Sequence, residues 1–353
     1  MSSRNNFEAV DRLLKDIMGA DDPSLESVLF GGKVVVFGGD FRQILPLVPR
    51  GTKSDIIDDC ITSSYIWQGV QLLTLVENMR VRGAGTGAAD FASKLLAIGN
   101  GEAPYDVQVP IPSSWLIDSE KLATLINKIY PNLSNVTDPA FFATRAILTC
   151  VNASVDRIND YALSVFPGEA TEYHSNDSII DCDDPTAASL DYPVELLHTM
   201  TPAGMPNHTM KIKRGMPLLI VRNLDVEHGL CNGTKVYVVR LLRYSIKVKT
   251  FAGNREFLIP RINFTSSESE LPFTLRRRQL PVRPAFAMTI HKSQGQTLNH
   301  VGVYLNQSVF TRGQLYVALS RATDPANLFV AIPRSDPSTP PATPNVVFRE
   351  VLL

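Results

Sequence analysis

Apolar positions along the chain change period several times, and each change marks an element. Phe7, Val10, Leu13, Leu14 and Ile17 recur at helical spacing over residues 7–18, and Gly19 and Pro23 are expected to stop that helix. "KVVVFGGD" (33–40) is instead an unbroken apolar run, the pattern of a short strand buried on both faces of a parallel sheet. A second strand is expected in "LLTLVENMR" (72–80), and a helix in "FASKLLAIGNG" (91–101), ended by Gly99 and Gly101. "SWLIDSEKLATLINKIYP" (114–131) reads as a strand, an Asp118 cap and a helix stopped by Pro131. "AILTCVNASVDRINDYALSVF" (146–166) repeats the strand–turn–helix scheme. This alternation predicts an α/β domain.

The texture changes between about residue 206 and residue 280. "TKVYVVRLLRYSIKVKTFAGNREFLIP" (234–260) alternates apolar and polar positions around a turn at Gly253-Asn254, with no helical period. That pattern predicts a small antiparallel sheet or barrel. "VGVYL" (301–305), "TRGQLYVALSRA" (311–322) and "NLFVAI" (327–332) then return to strand–helix–strand, so a β module interrupts an α/β domain. The Pro-rich stretch 333–344 is expected to be extended or disordered.

Composition adds bounds. The chain has 353 residues, 44% hydrophobic and 20% charged, which suits a globular protein of two or three domains. No run reaches the ~18 apolar residues of a membrane span, and the N-terminus has no apolar core of a secretory signal. Cys60, Cys150, Cys182 and Cys231 form no CxxC pair, so neither a zinc site nor a disulfide framework is expected, and no metal ligand is expected in this chain. The Asn-x-Ser/Thr triplets at 132 and 232 read as chance in a reduced, intracellular protein. Net charge is −1 overall, but residues 201–300 hold sixteen Lys/Arg against five Asp/Glu, a local +11. The remainder holds 18 against 30, a local −12. Such a segment fits either a polyanion contact or simply a basic solvated face.

In open parallel sheets, ligands bind beyond the carboxyl ends of the strands. "GGDFRQ" (38–43) sits at such an end, where Asp40 could hold Mg²⁺ indirectly and Gln43 could orient a water, or where both could merely finish a tight turn. "TIHKSQGQT" (289–297) gathers hydroxyls and amides around Gly295, groups typical of phosphate contacts. "LYVALSRAT" (315–323) places Arg321 near a helix end, either for a bidentate phosphate contact or as a surface cation at the helix C-terminus.

Taken together, "GGDFRQILPLVP", "VENMR", "FAMTIHKSQGQTL" and "GQLYVALSRAT" resemble the third to sixth motifs of superfamily-one helicases. "LKDIMG", "LLIVRNLDVEHGLCNGT" (218–234) and "FTLRRRQLPVRPAFAMTIHKSQGQ" narrow the resemblance to Pif-one-type DNA helicases, including their plant and Helitron relatives, over most of residues 7–332. The resemblance implies RecA-like, P-loop NTPase-type parallel sheets: a partial first lobe (1–80), a second lobe (81–205 with 281–335), an SH3-like β insertion (206–280) and a tail (336–353). It implies an ATP-dependent 5′-to-3′ helicase of genome maintenance, in the nucleus or alternatively the mitochondrion. Its cofactors are ATP and Mg²⁺, and its partners single-stranded and forked DNA. Gln43 would sense the γ-phosphate. Arg80 and Arg321 would be arginine fingers, and Asp40, Gln294 and Gly295 would lie near the nucleotide. His291, Ser293 and Thr297 would grip the DNA backbone, with the basic insertion lying over the strand.

No G-x-x-x-x-G-K-[ST] loop and no acidic pair after a buried strand is found. "GGK" (31–33), "GAGTGAAD" (83–90) and "SDIIDD" (54–59) each lack part of the pattern. A helicase half upstream is therefore expected to be missing. The chain alone is expected to bind nucleotide poorly, to hold no Mg²⁺ ligand pair and to hydrolyse nothing. The alternatives are a non-catalytic single-stranded DNA-binding remnant and a relative acting on RNA.

Overall fold

Ser3 caps the first helix, Arg4–Asp21, by accepting from the Asn5 amide. The helix runs through Gly19 and ends at Asp22, whose side chain then caps a 3₁₀ turn opened by Pro23. Glycine was thus a weaker stop than proline. The computed structural model describes residues 1–75, 86–117, 122–180, 192–202, 204–253, 255–266, 271, 273–332 and 341–352. Arg80, Asp118, Cys182, Asn254 and residues 333–340 lie outside these. The chain divides into two compact units: Met1–Asp118 with Ser293–Thr297 and Val303–Leu353, and Ser119–Lys292 with Leu298–Gly302. These divide the chain at other places than the boundaries expected from sequence.

In the first unit the apolar run 33–40 is not a strand. A strand is held by its ladder, and among the described residues nothing pairs with it. Val34 and Val36 are 93% and 88% exposed. Only Phe37 turns inward, with its ring 5.4 Å from Phe7 and 5.8 Å from Phe30. Residues 71–75 are likewise irregular, and the rest of that expected strand lies outside the described residues. The helix at 91–101 is present as Thr86–Asn100, with Gly101 at φ +62 closing it. Strand Leu328–Ala331 takes Trp115 and Ile117 alongside Val330 through backbone bonds of 2.7 and 3.0 Å. The tail is less loose than its prolines suggest. Ala342–Pro344 pairs antiparallel with Gln108–Pro110, and Val351 is buried with Leu45 and Cys60.

The second unit contains the parallel pairing that the sequence pattern predicts. Arg145–Thr149 lies parallel to Ala287–Thr289, with Ile147 opposite Ala287. Helix Asn152–Val165 is fixed to the latter strand by Asn159, which accepts from the Ala287 amide and donates to the Pro284 and Ala287 carbonyls. Gly302 is small for a reason: a Cβ there would come within 2.9 Å of Ile129 and 3.2 Å of Ile147. The β module follows as an antiparallel five-stranded sheet in the order Val282–Pro284, Pro217–Ile220, Lys235–Leu241, Ser245–Thr250 and Glu256–Pro260. A three-stranded sheet joins Ile262–Thr265, Thr274–Gln279 and Asn176–Ile180. The module therefore recruits strands on both sides of 206–280. Part of its basic excess is internal, since Arg277 is buried against Asp177 at 2.6 Å and Lys235 bonds two carbonyls.

Candidate functional site

The tip at 40–43 is built by local bonds. Asp40 accepts from the Arg42 amide at 3.0 Å and from the Gln43 side chain at 3.4 Å. The Gln43 amide closes the turn on the Asp40 carbonyl at 3.1 Å. Ile44 and Leu45, which follow, are buried and anchor it. Gly38 and Gly39 face open space on their Cβ sides, so nothing in this unit forces them to be glycine.

Two distant segments meet this tip within the same unit. Gln294 donates to the Gln43 side-chain oxygen at 2.9 Å, and Tyr316 donates to Asp40 at 3.2 Å. Gln43 thus has both ends of its amide held, leaving one N–H and one lone pair for a further partner. Burial and the Asp40 charge push the Tyr316 phenol up to about 12, so it stays a donor at neutral pH. Gly313, at φ +73, makes the close approach possible. A Cβ there would lie 2.5 Å from the Arg42 carbonyl oxygen and 2.6 Å from that of Gln43. Arg312, 2% exposed, donates to the Phe41, Gln43 and Phe348 carbonyls. Burial lowers it to about 10.

Arg321 is 4% exposed and already engaged. It donates to the Val317 carbonyl at 3.0 Å, the Gln296 carbonyl at 2.9 Å and the Ser320 hydroxyl at 3.1 Å. The 293–297 turn therefore receives both the tip, through Gln294, and the arginine, through Gln296. Gly295 at its apex has φ +82 and open space around its Cβ position. Ser293 is fully buried and accepts from the Gln296 amide through its carbonyl, while Thr297 is exposed. His291 belongs to the other unit; among the described residues its buried Nε2 has no hydrogen-bond partner, and burial lowers its pKa. Arg80 lies outside the described residues.

Sequence reasoning missed Arg312, Tyr316 and the bond from Arg42 to Asn100 at 2.6 Å. Tyr316 sits on the apolar period of its helix and reads as core. Arg312 carried one usable signal, its place immediately before a glycine that opens a helix.

Three family matches cover separate stretches: PIF1-like helicase over residues 1–108, the 2B domain of DNA helicase Pif1 over 195–241, and Helicase over 280–336. The chain is 28% identical over 353 residues to the ATP-dependent DNA helicase PIF1 of Xenopus laevis, covering 97% of this chain and 46% of that one. It is 33% identical over 297 residues to the human ATP-dependent DNA helicase PIF1, covering 83% of this chain and 40% of that one. The chain thus spans less than half the length of these relatives. Among solved structures, Bacteroides Pif1 bound to ssDNA superposes with TM-score 0.61 at 20% identity, over 94% of this chain and 68% of that chain. Pif1 helicase from Candida albicans gives 0.57 at 23%, over 91% and 70%. These likenesses establish the α/β, RecA-like fold. With the ordered matches along the sequence, they place this chain in the Pif1-like helicase family.

Proposed function

We propose that this chain is the part of an ATP-dependent 5′-to-3′ DNA helicase that reads the nucleotide state and holds single-stranded DNA. One observation carries the reading: the 293–297 turn bonds Gln43 through Gln294 and Arg321 through Gln296, so two residues far apart in sequence share one scaffold. In this reading Gln43 senses the γ-phosphate, Arg80 and Arg321 are the arginine fingers, and Asp40, Gln294 and Gly295 flank the nucleotide. His291 and Thr297 hold the DNA backbone directly, while buried Ser293 shapes the turn. The basic, SH3-like insertion tracks the strand. Exposed Tyr244, with Arg243 5.0 Å from its ring, offers the stacking surface that sequence-independent binding uses. Work on DNA fits the nucleus, with the mitochondrion as the alternative.

The family implies ATP and Mg²⁺, but the residues here do not fit a complete site for them. No G-x-x-x-x-G-K-[ST] loop occurs in the sequence. Asp40 is bonded by Arg42, Gln43 and Tyr316, and Arg321 donates to the Val317 and Gln296 carbonyls and the Ser320 hydroxyl of its own unit. No hydrolytic step is therefore derived from this chain. Arg321's engagement also favours a second reading, a module that binds single-stranded DNA without turning over nucleotide. Two measurements on the purified chain test the readings. Fluorescence anisotropy with a labelled oligonucleotide should show binding that weakens steeply with salt, about 0.7 decades per decade of salt for each phosphate contacted. ATPase assay with and without that oligonucleotide should show no hydrolysis. Salt-insensitive or absent DNA binding overturns both readings, and ATP hydrolysis lost on Arg321→Ala overturns the second.

A further inference from the structure

His174, His198 and His208 gather in the second unit, and the helicase reading gives none of them a role. His198 lies in the last turn of the six-residue helix Val194–Thr199, and His208 immediately precedes strand Thr209–Ile212. Their imidazole rings stack with centroids 3.6 Å apart and planes 15° from parallel, and the His174 ring lies 5.5 Å from that of His208. Asp177, in strand Asn176–Ile180, completes a triangle. One ligand atom each from Asp177, His198 and His208 lies within 4.8 Å of the others.

Two details prepare this triangle for a cation. Ser175 donates its only hydroxyl hydrogen to Asp177 at 2.6 Å, so its oxygen can only accept from His208 Nδ1, 2.8 Å away. His208 is thereby held as the tautomer with a bare Nε2 lone pair, oriented through a serine to a carboxylate. That is the outer-shell arrangement that fixes metal-binding histidines. Asp177 accepts from Ser175 Oγ and Arg277 Nε on one oxygen and from Arg277 Nε and Nη2 on the other, so an ion would take the lone pair freed when the shared Nε–H settles on a single oxygen. Its charge is buried, but both histidines are only half-buried, so the triangle is open to solvent on their side.

We propose that His198, His208 and Asp177 bind one divalent first-row transition cation of the Zn²⁺ or Co²⁺ class. Two imidazole nitrogens and one carboxylate oxygen form the donor set, and water completes the coordination. Imidazole donors select this class over Mg²⁺ or Ca²⁺; the donor atoms already lie close, and one of the two stacked rings must turn so that both ring planes pass through an ion about 2.0–2.2 Å from each donor. The absence of CxxC pairs, which argued against zinc, has no bearing on ligands drawn from three separate elements. A bound ion would tie the short 194–199 helix, which has little stability of its own, to the strands beneath it.

The test is isothermal titration of ZnCl₂ into the full chain stripped with EDTA. One saturable equivalent is expected. His198→Ala and His208→Ala should each abolish it, Ser175→Ala should weaken it about tenfold or more, and His228→Ala, on a separate turn, should leave it unchanged. Circular dichroism of each variant confirms that it is folded. A CoCl₂ titration of the unaltered chain needs no substitution and should give a visible d–d band that saturates at one equivalent and is displaced by Zn²⁺. No saturable binding, no cobalt band, or binding that survives both histidine replacements would overturn the proposal.

Discussion

Arg277 and Arg312 are both buried arginines, and the two units treat them differently. Arg277 lies between strands of the β module and meets a carboxylate, with Nη2 2.6 Å from Asp177 and further bonds to the Leu197 and Pro206 carbonyls. Arg312 lies behind the 40–43 tip and meets only carbonyls, and among the described residues no acid pairs with it. Among the described residues its Nε has no hydrogen-bond partner. The first is a neutralised strut that holds sheets together. The second is a cation without a directly bonded acid, with Asp40 and Glu350 offsetting it only from a distance, behind the residues proposed to face a phosphate, where a fixed positive charge lowers the energy of an approaching anion.

The largest effect should come from breaking the neutralised pair. Asp177→Asn or Arg277→Met alone leaves one buried charge without its partner and should cost about 3–5 kcal/mol. Urea unfolding followed by circular dichroism measures it. The double variant Asp177→Leu with Arg277→Met should recover a large share of that loss, because the desolvated charge is gone. If either single change costs under about 1 kcal/mol, the two arginines do not differ in the way described.

Next in size is Gly313→Ala. It forces a Cβ onto the Arg42 and Gln43 carbonyls at a φ of +73, which should cost about 3 kcal/mol and detach the tip from Tyr316. The Tyr316 phenol reports the detachment. Its titration, read by ultraviolet absorbance, should fall from about 12 toward the ordinary range as Asp40 moves away. Arg312→Met should cost about 2 kcal/mol, less than Arg277→Met, since it strands carbonyls but removes a charge. The same change should also weaken any nucleotide or phosphate binding, whereas Arg277→Met should not.

How much of this could be read in the sequence depends on what holds each element. Arg145–Thr149 and the strands at 235–260 were legible because their partners lie within the chain and the periods are clean. Residues 33–40 carry an equally clear apolar run, yet a run specifies only a preference, and a ladder needs a neighbour. Asp40, Gln43, Gln294 and Arg321 were legible as a motif set. Their hydrogen bonds were not, because Gln43 meets Gln294 only through the fold. Arg277 and Lys235 illustrate the opposite error. Counted as surface charge in a basic segment, they are internal, and no local pattern reveals that Asp177 sits a hundred residues away from Arg277.

Lys235 sharpens the contrast as a third buried cation, and at neutral pH it gives the smallest effect. Like Arg312 it meets carbonyls only, those of Phe142 and Arg145, each at 2.7 Å. Unlike an arginine it can release its proton, and burial brings it down to about 7. Below pH 7 it is charged both folded and unfolded. Between about 7 and the ordinary lysine value of 10.5, the unfolded chain holds a proton that the folded chain has lost. Stability therefore rises with pH across that window, by at most about 1.4 kcal/mol per pH unit from this group. Neutral lysine still donates to both carbonyls, so nothing is lost in exchange. Lys235→Met should cost about 1 kcal/mol at pH 7 and should remove the upward slope, so its deficit widens at pH 9. Urea midpoints at pH 6, 7, 8 and 9 for both proteins measure it. Parallel curves would mean that Lys235 keeps its proton as an arginine does, and that carbonyls alone can hold a buried cation charged.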